Sequence, residues 1–600
     1  MPDYREYLAP QRLLRVISLS ADGSQVAYSS DASGQFNLWI QSVAGGAPRQ
    51  LTFFTDHAVR AMAWSPDGSR VAFTADHAGD EQTQIYIVPA GGGDPVRLST
   101  ADDRQFMLAE KTPFDPSGRY LLCGGNDRDH SVPDLLIYDL SDGSSVRFPG
   151  RDGGNLFPLA FSPDGQFILA GVLASNADIQ CCLGSAGDPS SLDYLAEAMT
   201  AEYAHPAPWS RDSGGFYVRA IPAGGDLTGL WFFSLADRSL KPVDTPEWEV
   251  GDVTMSADGR TVIWSANEDG WSVLRGLRDG QVIEALPVPG GVIRAMDISA
   301  DGSVLALVLD TPGRPLAVAV ADLAAGTPLQ YLTDARPPAL QTVEPLVPES
   351  CQFPSRDGTS IPALIYRPSG PGPHPVVVYI HGGPEDQSRP LYNALQQCLL
   401  ASGIGLLLPN VRGSSGYGRA WQTRIYRDWG GIDLEDFGAA ATYLQALDWV
   451  DSGRIAVFGG SYGGFAALSC VSRLPEFWAA GVSICGPTNL EMLARSMPPD
   501  WITVVRQMFG DPDTDADDMR RRSPVTYADQ ITAPLLVIQG ANDPRVPKAE
   551  SDQIVERARA RGVEVSYLVF DDEGHGFTNR ENDIKANSMV AEFLFGHLLK

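Results

Sequence analysis

Basic side chains are in short supply: 45 Lys and Arg stand against 74 Asp and Glu, a formal charge of −29 over 600 residues. No basic stripe is there to neutralise phosphates, so a nucleic-acid partner is not expected. The acidic balance reads as a solubilising surface. Chemistry-bearing motifs are also few. There is no C-x-x-C pair, no H-E-x-x-H and no G-x-x-x-x-G-K-[ST]. Metal and nucleotide chemistry are therefore unsupported, and no cofactor is expected. No apolar run approaches the ~20 residues of a membrane span. The opening Met1-Pro2-Asp3-Tyr4-Arg5-Glu6-Tyr7 lacks the basic-then-apolar pattern of a secretory leader. Cysteine is sparse and odd in number, at seven, and the adjacent Cys181 and Cys182 have no metal spacing. Reduced thiols and a cytoplasmic location are the expectation.

Glycine, by contrast, is plentiful, and much of it punctuates a repeat. Before residue 335 a short apolar strand runs into Ser20-Ala21-Asp22-Gly23, Ser65-Pro66-Asp67-Gly68, Asp115-Pro116-Ser117-Gly118 and Ser162-Pro163-Asp164-Gly165. The turn recurs at Ser210-Arg211-Asp212-Ser213, Ser256-Ala257-Asp258-Gly259 and Ser299-Ala300-Asp301-Gly302. An alternating strand follows each turn, as in Arg70-Val71-Ala72-Phe73 or Thr261-Val262-Ile263-Trp264. Asp-Gly suits a tight hairpin because it tolerates positive φ. The spacing of about 43–50 residues is that of a four-stranded propeller blade. Seven turns imply seven blades, the fifth with a degenerate turn.

The Pro-rich stretch from Asp334 to Pro348 breaks the period and marks a domain joint. Beyond it, strands and helices alternate to the end. The expected division is residues 1–14 as a helical segment packing on the second domain, 15–338 as a β-propeller, and 339–600 as an α/β domain with a doubly wound, mostly parallel sheet.

Within the second domain, Gly459-Gly460-Ser461-Tyr462-Gly463 lies between the buried strand Arg454-Ile455-Ala456-Val457-Phe458 and a helix from Gly464. A serine at a sharp strand-to-helix turn needs small neighbours, and the turn lifts its hydroxyl towards a base. Asp543 follows the strand Pro534-Leu535-Leu536-Val537-Ile538, and His575 follows the strand Val563 to Phe570. Both sit where parallel strands deliver residues to one sheet edge. The order Ser, Asp, His is that of the α/β-hydrolase triad.

Of the four histidines beyond residue 350, His374 and His597 read as surface residues, and His381 belongs to the His381-Gly382-Gly383-Pro384 loop. That leaves His575 as the base. Ser461 is then the nucleophile, and Asp543 fixes the imidazole tautomer. The backbone N–H groups of Tyr462 and Gly383 are the candidate oxyanion donors.

A propeller followed by a hydrolase carrying Gly459-Gly460-Ser461-Tyr462-Gly463-Gly464 resembles the prolyl oligopeptidase family of serine peptidases over essentially the whole chain. The H-G-G-P loop, Arg412-Gly413-Ser414-Ser415-Gly416-Tyr417-Gly418 and the pairing of Asp543 with Arg545 resemble its acylaminoacyl-peptidase and dipeptidyl-aminopeptidase-like branch. The resemblance implies that Arg545 binds a substrate backbone carbonyl. It also implies that Leu490 to Phe509 occupies the place of the side-chain pocket, with Trp501, Val504 and Val505 as lining residues. A domain cover that admits only short peptides is implied as well. Dipeptidyl peptidases of this family hold the substrate amine with a Glu-Glu pair in the propeller, and residues 1–340 contain no Glu-Glu dipeptide. The expected partner is a short peptide or acyl-peptide, with no nucleic acid and no membrane, and a homo-oligomer is compatible. The activity expected is acylaminoacyl-peptidase or aminopeptidase-like, with hydrolysis of a small peptide-like ester or amide as the alternative.

Overall fold

The computed structural model describes residues 2–599, apart from 152–154, 176, 284–287, 324, 327, 342 and 498–500. It divides into two compact units, residues 10–335 and residues 336–600 together with 1–9.

The first unit is a seven-bladed β-propeller of seven antiparallel four-stranded sheets, each built from four consecutive strands. The repeated turns explain the regularity. In the first, Gly23 N–H donates to Ser20 O at 2.8 Å, and Asp22 accepts from the Ser20 hydroxyl at 2.6 Å and from Ser24 N–H at 3.0 Å. These donors hold the Asp22 carboxyl below the usual carboxylate range, and the same contacts bring Asp67 and Asp301 to about 2. In the third turn the roles are exchanged, the Ser117 hydroxyl donating to Asp115 at 2.6 Å.

The fifth turn is structurally intact. Ser213 takes the glycine position with φ 56°, and its hydroxyl accepts Asp164 N–H from the preceding blade at 3.1 Å. The ring closes by packing the first blade beside the last, with no shared strand. Ala300 N–H donates to Ala21 O at 3.0 Å, and Leu13, Leu19 and Val26 share a core with Ala306, Val318 and Val320.

The second unit contains one eight-stranded sheet: β1 (Glu349–Pro354), β2 (Ser360–Tyr366), β3 (His374–Ile380), β4 (Gly405–Pro409), β5 (Val450–Gly460), β6 (Ala480–Ile484), β7 (Leu535–Gly540) and β8 (Val565–Phe570). Their order across the sheet is β1-β2-β4-β3-β5-β6-β7-β8, antiparallel up to the β2/β4 pair and parallel beyond it. The central strands are apolar throughout because both faces are covered. Val376 and Val378 enter one core while Val377 enters the other, and Ile455 and Val457 alternate with Ala456 and Phe458 in the same way. Helices α1 (Ala394–Ala401), α2 (Ile432–Gln445), α3 (Tyr462–Arg473), α4 (Ile502–Met508), α5 (Lys548–Ala560) and α6 (Arg580–Leu598) belong to this unit.

The N-terminal segment departs from expectation. Instead of a helix over residues 1–14 there is one 3-10 turn, Tyr4–Tyr7, capped by Asp3, and the first propeller strand already begins at Leu13. Pro10 supplies no N–H to extend a helix, and the β-branched pair Val16-Ile17 favours a strand. Tyr4 and Tyr7 are buried in one of the two sheet cores with Leu395, Leu399 and Leu594, and the Tyr392 hydroxyl donates to Tyr7 O. Residues 1–9 thus belong to the hydrolase unit.

Candidate active site

Four parallel strands bring their carboxyl ends level: Ile380 is opposite Gly459, Gly460 opposite Ile484, and Ile484 opposite Ile538. Ser461 follows directly from β5 and opens α3, with φ 56° and ψ −122°. A non-glycine residue in that region is strained by roughly 1–3 kcal/mol and persists only where its surroundings fix it. Here they do: Ser461 N–H donates to Ile484 O at 2.8 Å and Ser461 O accepts Phe465 N–H at 3.0 Å. The flanking glycines are sterically required. A Cβ on Gly459 would lie 2.4 Å from the Gly463 carbonyl carbon, and one on Gly463 would lie 2.3 Å from Ile380 O.

His575, in the loop after β8, bridges the other two nominated residues. Its Nε2 is 2.9 Å from Ser461 Oγ and its Nδ1 is 2.8 Å from Asp543 Oδ2. Asp543, after β7, has a fully buried carboxylate. Its Oδ1 accepts Arg545 N–H and Val546 N–H, each at 2.9 Å, which prevents the side chain from turning away from the imidazole.

The loop after β3 lies against Ser461. A Cβ on Gly382 would be 3.9 Å from Ser461 Cβ, and the next residue, Gly383, has φ 106°. His381 fastens this loop, its Nε2 lying 2.9 Å from Ser414 Oγ, and burial holds its pKa below the ordinary histidine value. Tyr462 N–H begins α3. The Tyr462 hydroxyl donates to the buried carboxylate of Asp433 at 2.8 Å, and Trp429 packs against its ring. Burial pushes Asp433 up to about 6. Arg412, fully buried, donates to Asp436 and to Asp357, which makes the Arg412–Gly418 stretch a scaffold.

Arg545 stands over the Trp501 ring, with its Cζ 5.6 Å from the ring centroid. Trp501 is 39% exposed and Val504 half-buried, but Val505 is only 3% exposed and belongs to the core that holds Trp429 and Phe509. The expectation of Val505 as a lining residue is corrected accordingly: α4 buries that position. Residues 498–500, within the same expected pocket segment, lie outside the described residues.

Several positioning residues are invisible in the sequence. Buried Gln539 donates to Asp543 Oδ2 at 3.3 Å and accepts from the Ser551 hydroxyl at 2.8 Å. Buried Glu573 accepts Thr578 N–H at 2.9 Å, Asn579 N–H at 3.0 Å and Asn582 Nδ2 at 2.9 Å, which ties down the loop carrying His575. The two loops also meet directly, since a Cβ on Gly540 would be 2.2 Å from Gly574 O. The Cys485 thiol, next to Asp543, is pushed up to about 12 by burial and then by that carboxylate.

A serine at a sharp strand-to-helix turn on a mostly parallel sheet, in a chain that also contains a seven-bladed propeller, defines the class as a propeller-bearing α/β-hydrolase. Residues 391–600 match the model of the prolyl oligopeptidase family, and residues 48–83 match a WD domain, G-beta repeat. The dipeptidyl aminopeptidase BIII of Pseudoxanthomonas mexicana is 28% identical over 96% of this chain and 86% of its own length. The acylamino-acid-releasing enzyme of Sus scrofa is 25% identical over 65% of this chain and 52% of its own. A solved puromycin-hydrolyzing peptidase of Mycobacterium tuberculosis superposes with a TM-score of 0.82, covering 99% of this chain and 95% of that one; at 19% identity it shows the fold alone. Residues 391–600 thus carry the peptidase domain of the prolyl oligopeptidase family, and the chain is similar over nearly its whole length to a dipeptidyl aminopeptidase. No helix among the described residues is long and apolar enough to cross a membrane.

Proposed function

We propose that this peptidase removes one or a few residues from the amino end of short peptides, through an acyl-enzyme formed on Ser461. The observation that carries the reading is the continuous hydrogen-bond chain from Ser461 Oγ through His575 to Asp543, at 2.9 Å and 2.8 Å. Ser461 Oγ attacks the scissile carbonyl while His575 Nε2 takes its proton and then returns it to the leaving amine. Water repeats the sequence to release the acyl group. Asp543 keeps the second imidazole proton on Nδ1 and stabilises the imidazolium. The N–H groups of Tyr462 and Gly383 receive the oxyanion, and each such donor is worth about 2.7–4 kcal/mol in the barrier.

Arg545 has a fork able to hold the carbonyl one residue upstream. Its stacking on Trp501 orients the guanidinium and leaves an exposed aromatic face for the substrate. The names of the relatives, a dipeptidyl aminopeptidase and an acylamino-acid-releasing enzyme, support substrates engaged at their amino end.

Chromogenic aminoacyl, dipeptidyl and acyl-aminoacyl anilides, run beside a p-nitrophenyl ester, test the reading. Amide cleavage of at least one peptide series is expected, and cleavage of the ester alone would replace it with an esterase. Ser461→Ala should abolish both turnover and fluorophosphonate labelling with little change in the thermal transition. Labelling that persists in the variant would sink the assignment of the nucleophile.

A further inference from the structure

Cys485 enters none of these steps, yet it stands among the groups that perform them. It follows β6 directly, with φ 49°, and its N–H donates to Ile538 O at 2.9 Å. The thiol sulfur lies within 4.8 Å of an Asp543 carboxylate oxygen. One ligand atom each from Cys485, Asp543 and His575 lies within 4.8 Å of the others, and no other such group of three occurs among the described residues.

Thiolate, imidazole and carboxylate are the donors that bind zinc, at about 2.0–2.3 Å each. A shared ion therefore needs separations of up to 4.8 Å to close by about an ångström, while His575 Nδ1 and Asp543 Oδ2, now 2.8 Å apart, open slightly. They are mounted on the ends of three neighbouring strands, β6, β7 and β8. Cys485 and Asp543 are 3% and 6% exposed, and the His575 side chain, 12% exposed, leaves an edge for entry.

We propose that Cys485, Asp543 and His575 form an inhibitory site for a thiophilic divalent cation, with zinc as the probe. The cation takes the thiolate of Cys485, one Asp543 oxygen and the Nδ1 lone pair of His575. The thiol proton leaves to water, and nothing is oxidised or reduced. The imidazole proton now on Nδ1 moves to Nε2, where it faces Ser461 Oγ at 2.9 Å. An imidazole protonated on Nε2 cannot accept the serine proton, so the ion inactivates the nucleophile without touching it. Inhibition rests on the triad reading given above; binding does not.

Two readouts on the full chain separate these. In Ser461→Ala protein, cobalt(II) should give a near-ultraviolet thiolate-to-cobalt charge-transfer band that Cys485→Ser removes. In wild-type protein, zinc should block peptide hydrolysis and fluorophosphonate labelling, with recovery on adding EDTA. The zinc concentration for half-inhibition should rise by at least about tenfold in Cys485→Ser, as expected when a metal site loses a ligand. Cys485→Gly, which suits the positive φ, serves if the serine variant fails to fold. Absence of the cobalt band, or equal zinc sensitivity with and without the thiol, overturns the proposal. Were no peptide hydrolysed even without metal, the band alone would decide the site, so failure of the functional reading stays distinct from failure of this one.

Discussion

The two units use the left-handed region of backbone space for opposite ends. In the propeller it recurs at each repeated turn, with φ between 56° and 72°, and glycine occupies every such position except Ser213. In the hydrolase unit two of the three described non-glycine residues with positive φ, Ser461 at 56° and Cys485 at 49°, stand at the carboxyl edge of the sheet, the third being Arg427 at 60°. Repetition lets the propeller relax its conformational demands with the residue that meets them most cheaply. At the elbow the residue is chosen for its side chain, and the surroundings hold the strain. The units differ as well in how far apart interacting residues lie. Propeller turns close over five residues, as in Ser20 N–H to Gln25 O, whereas His575 reaches Ser461 across 114 positions.

The largest effect should come from the hydrolase side. Asp543→Asn keeps the shape of the acid but leaves the imidazole in the wrong tautomer, so kcat is expected to fall by about 10⁴-fold. Steady-state kinetics on a chromogenic peptide checks this. A near-normal kcat would shift the role of the acid to one of the nearby carboxylates, and the contrast between a unique site and a redundant repeat would lose its centre.

The same alanine placed in the two units sharpens the contrast. On Gly463 a methyl group would sit 2.3 Å from Ile380 O and 2.8 Å from His381 O, in the middle of the elbow. Gly463→Ala should therefore cost several kcal/mol, in the range of severe overpacking, and abolish activity. On Gly68 nothing lies within 4 Å, although φ is 68°. Gly68→Ala should cost only the left-handed penalty of about 1–2 kcal/mol and leave kcat unchanged. Thermal melts and kinetics on the pair decide it, and equal losses in both would show that turn conformation, not crowding, controls the elbow.

The same difference governs what could be read from sequence. The blades were legible because each states its turn chemistry locally, and seven repetitions separate signal from accident. Ser461, Asp543 and His575 could be nominated because each follows a recognisable strand. Glu573, Gln539 and Cys485 could not, since their contacts exist only after distant loops converge. The N-terminal segment misled for a related reason. The burial of Tyr4 and Tyr7 against α1 and α6 is a tertiary event that needs only a single 3-10 turn, not a helix over residues 1–14. Val505 has the pattern of a pocket residue and the environment of a core residue, and spacing alone does not distinguish them.

Buried charge provides a prediction of intermediate size. Burial raises Asp433 to about 6, against roughly 3.9 for an unfolded aspartate. Between those values the folded chain keeps a proton that the unfolded chain has released, so stability should fall as pH rises from about 4 to 6 and level off above. The full span is on the order of 3 kcal/mol. Asp433→Asn should remove this part of the slope while keeping an acceptor for the Tyr462 hydroxyl. Denaturant melts at pH 4, 5 and 6 provide the measurement, and an unchanged slope in the variant would assign the dependence to other carboxylates. Asp67 and Asp301 of the propeller turns should behave in the opposite way: they titrate at about 2, so the stability they lend is present above the ordinary carboxylate range and lost as pH falls towards about 2.

The smallest effect concerns the one propeller turn that breaks its own rule. Ser213 sits at φ 56°, where its six counterparts are glycines with φ between 68° and 72°. Replacing it with glycine removes a Cβ clash worth roughly 1–2 kcal/mol. Two terms oppose that gain. Glycine frees the unfolded chain by about 0.4–1 kcal/mol, and the Ser213 hydroxyl that accepts Asp164 N–H at 3.1 Å is lost, at about 0.5–1.5 kcal/mol. The terms nearly cancel, so Ser213→Gly should change the propeller's stability by less than about 1 kcal/mol and leave kcat untouched. Gly165→Ser, made in the neighbouring turn, lacks that compensation: φ is 72° and a Cβ would come within 3.2 Å of Pro116. It should therefore cost more than Ser213→Gly changes in either direction. If instead Ser213→Gly destabilises strongly, the hydroxyl bridge between the fourth and fifth blades outweighs the backbone conformation, and the fifth turn is a joint between blades rather than a tolerated exception.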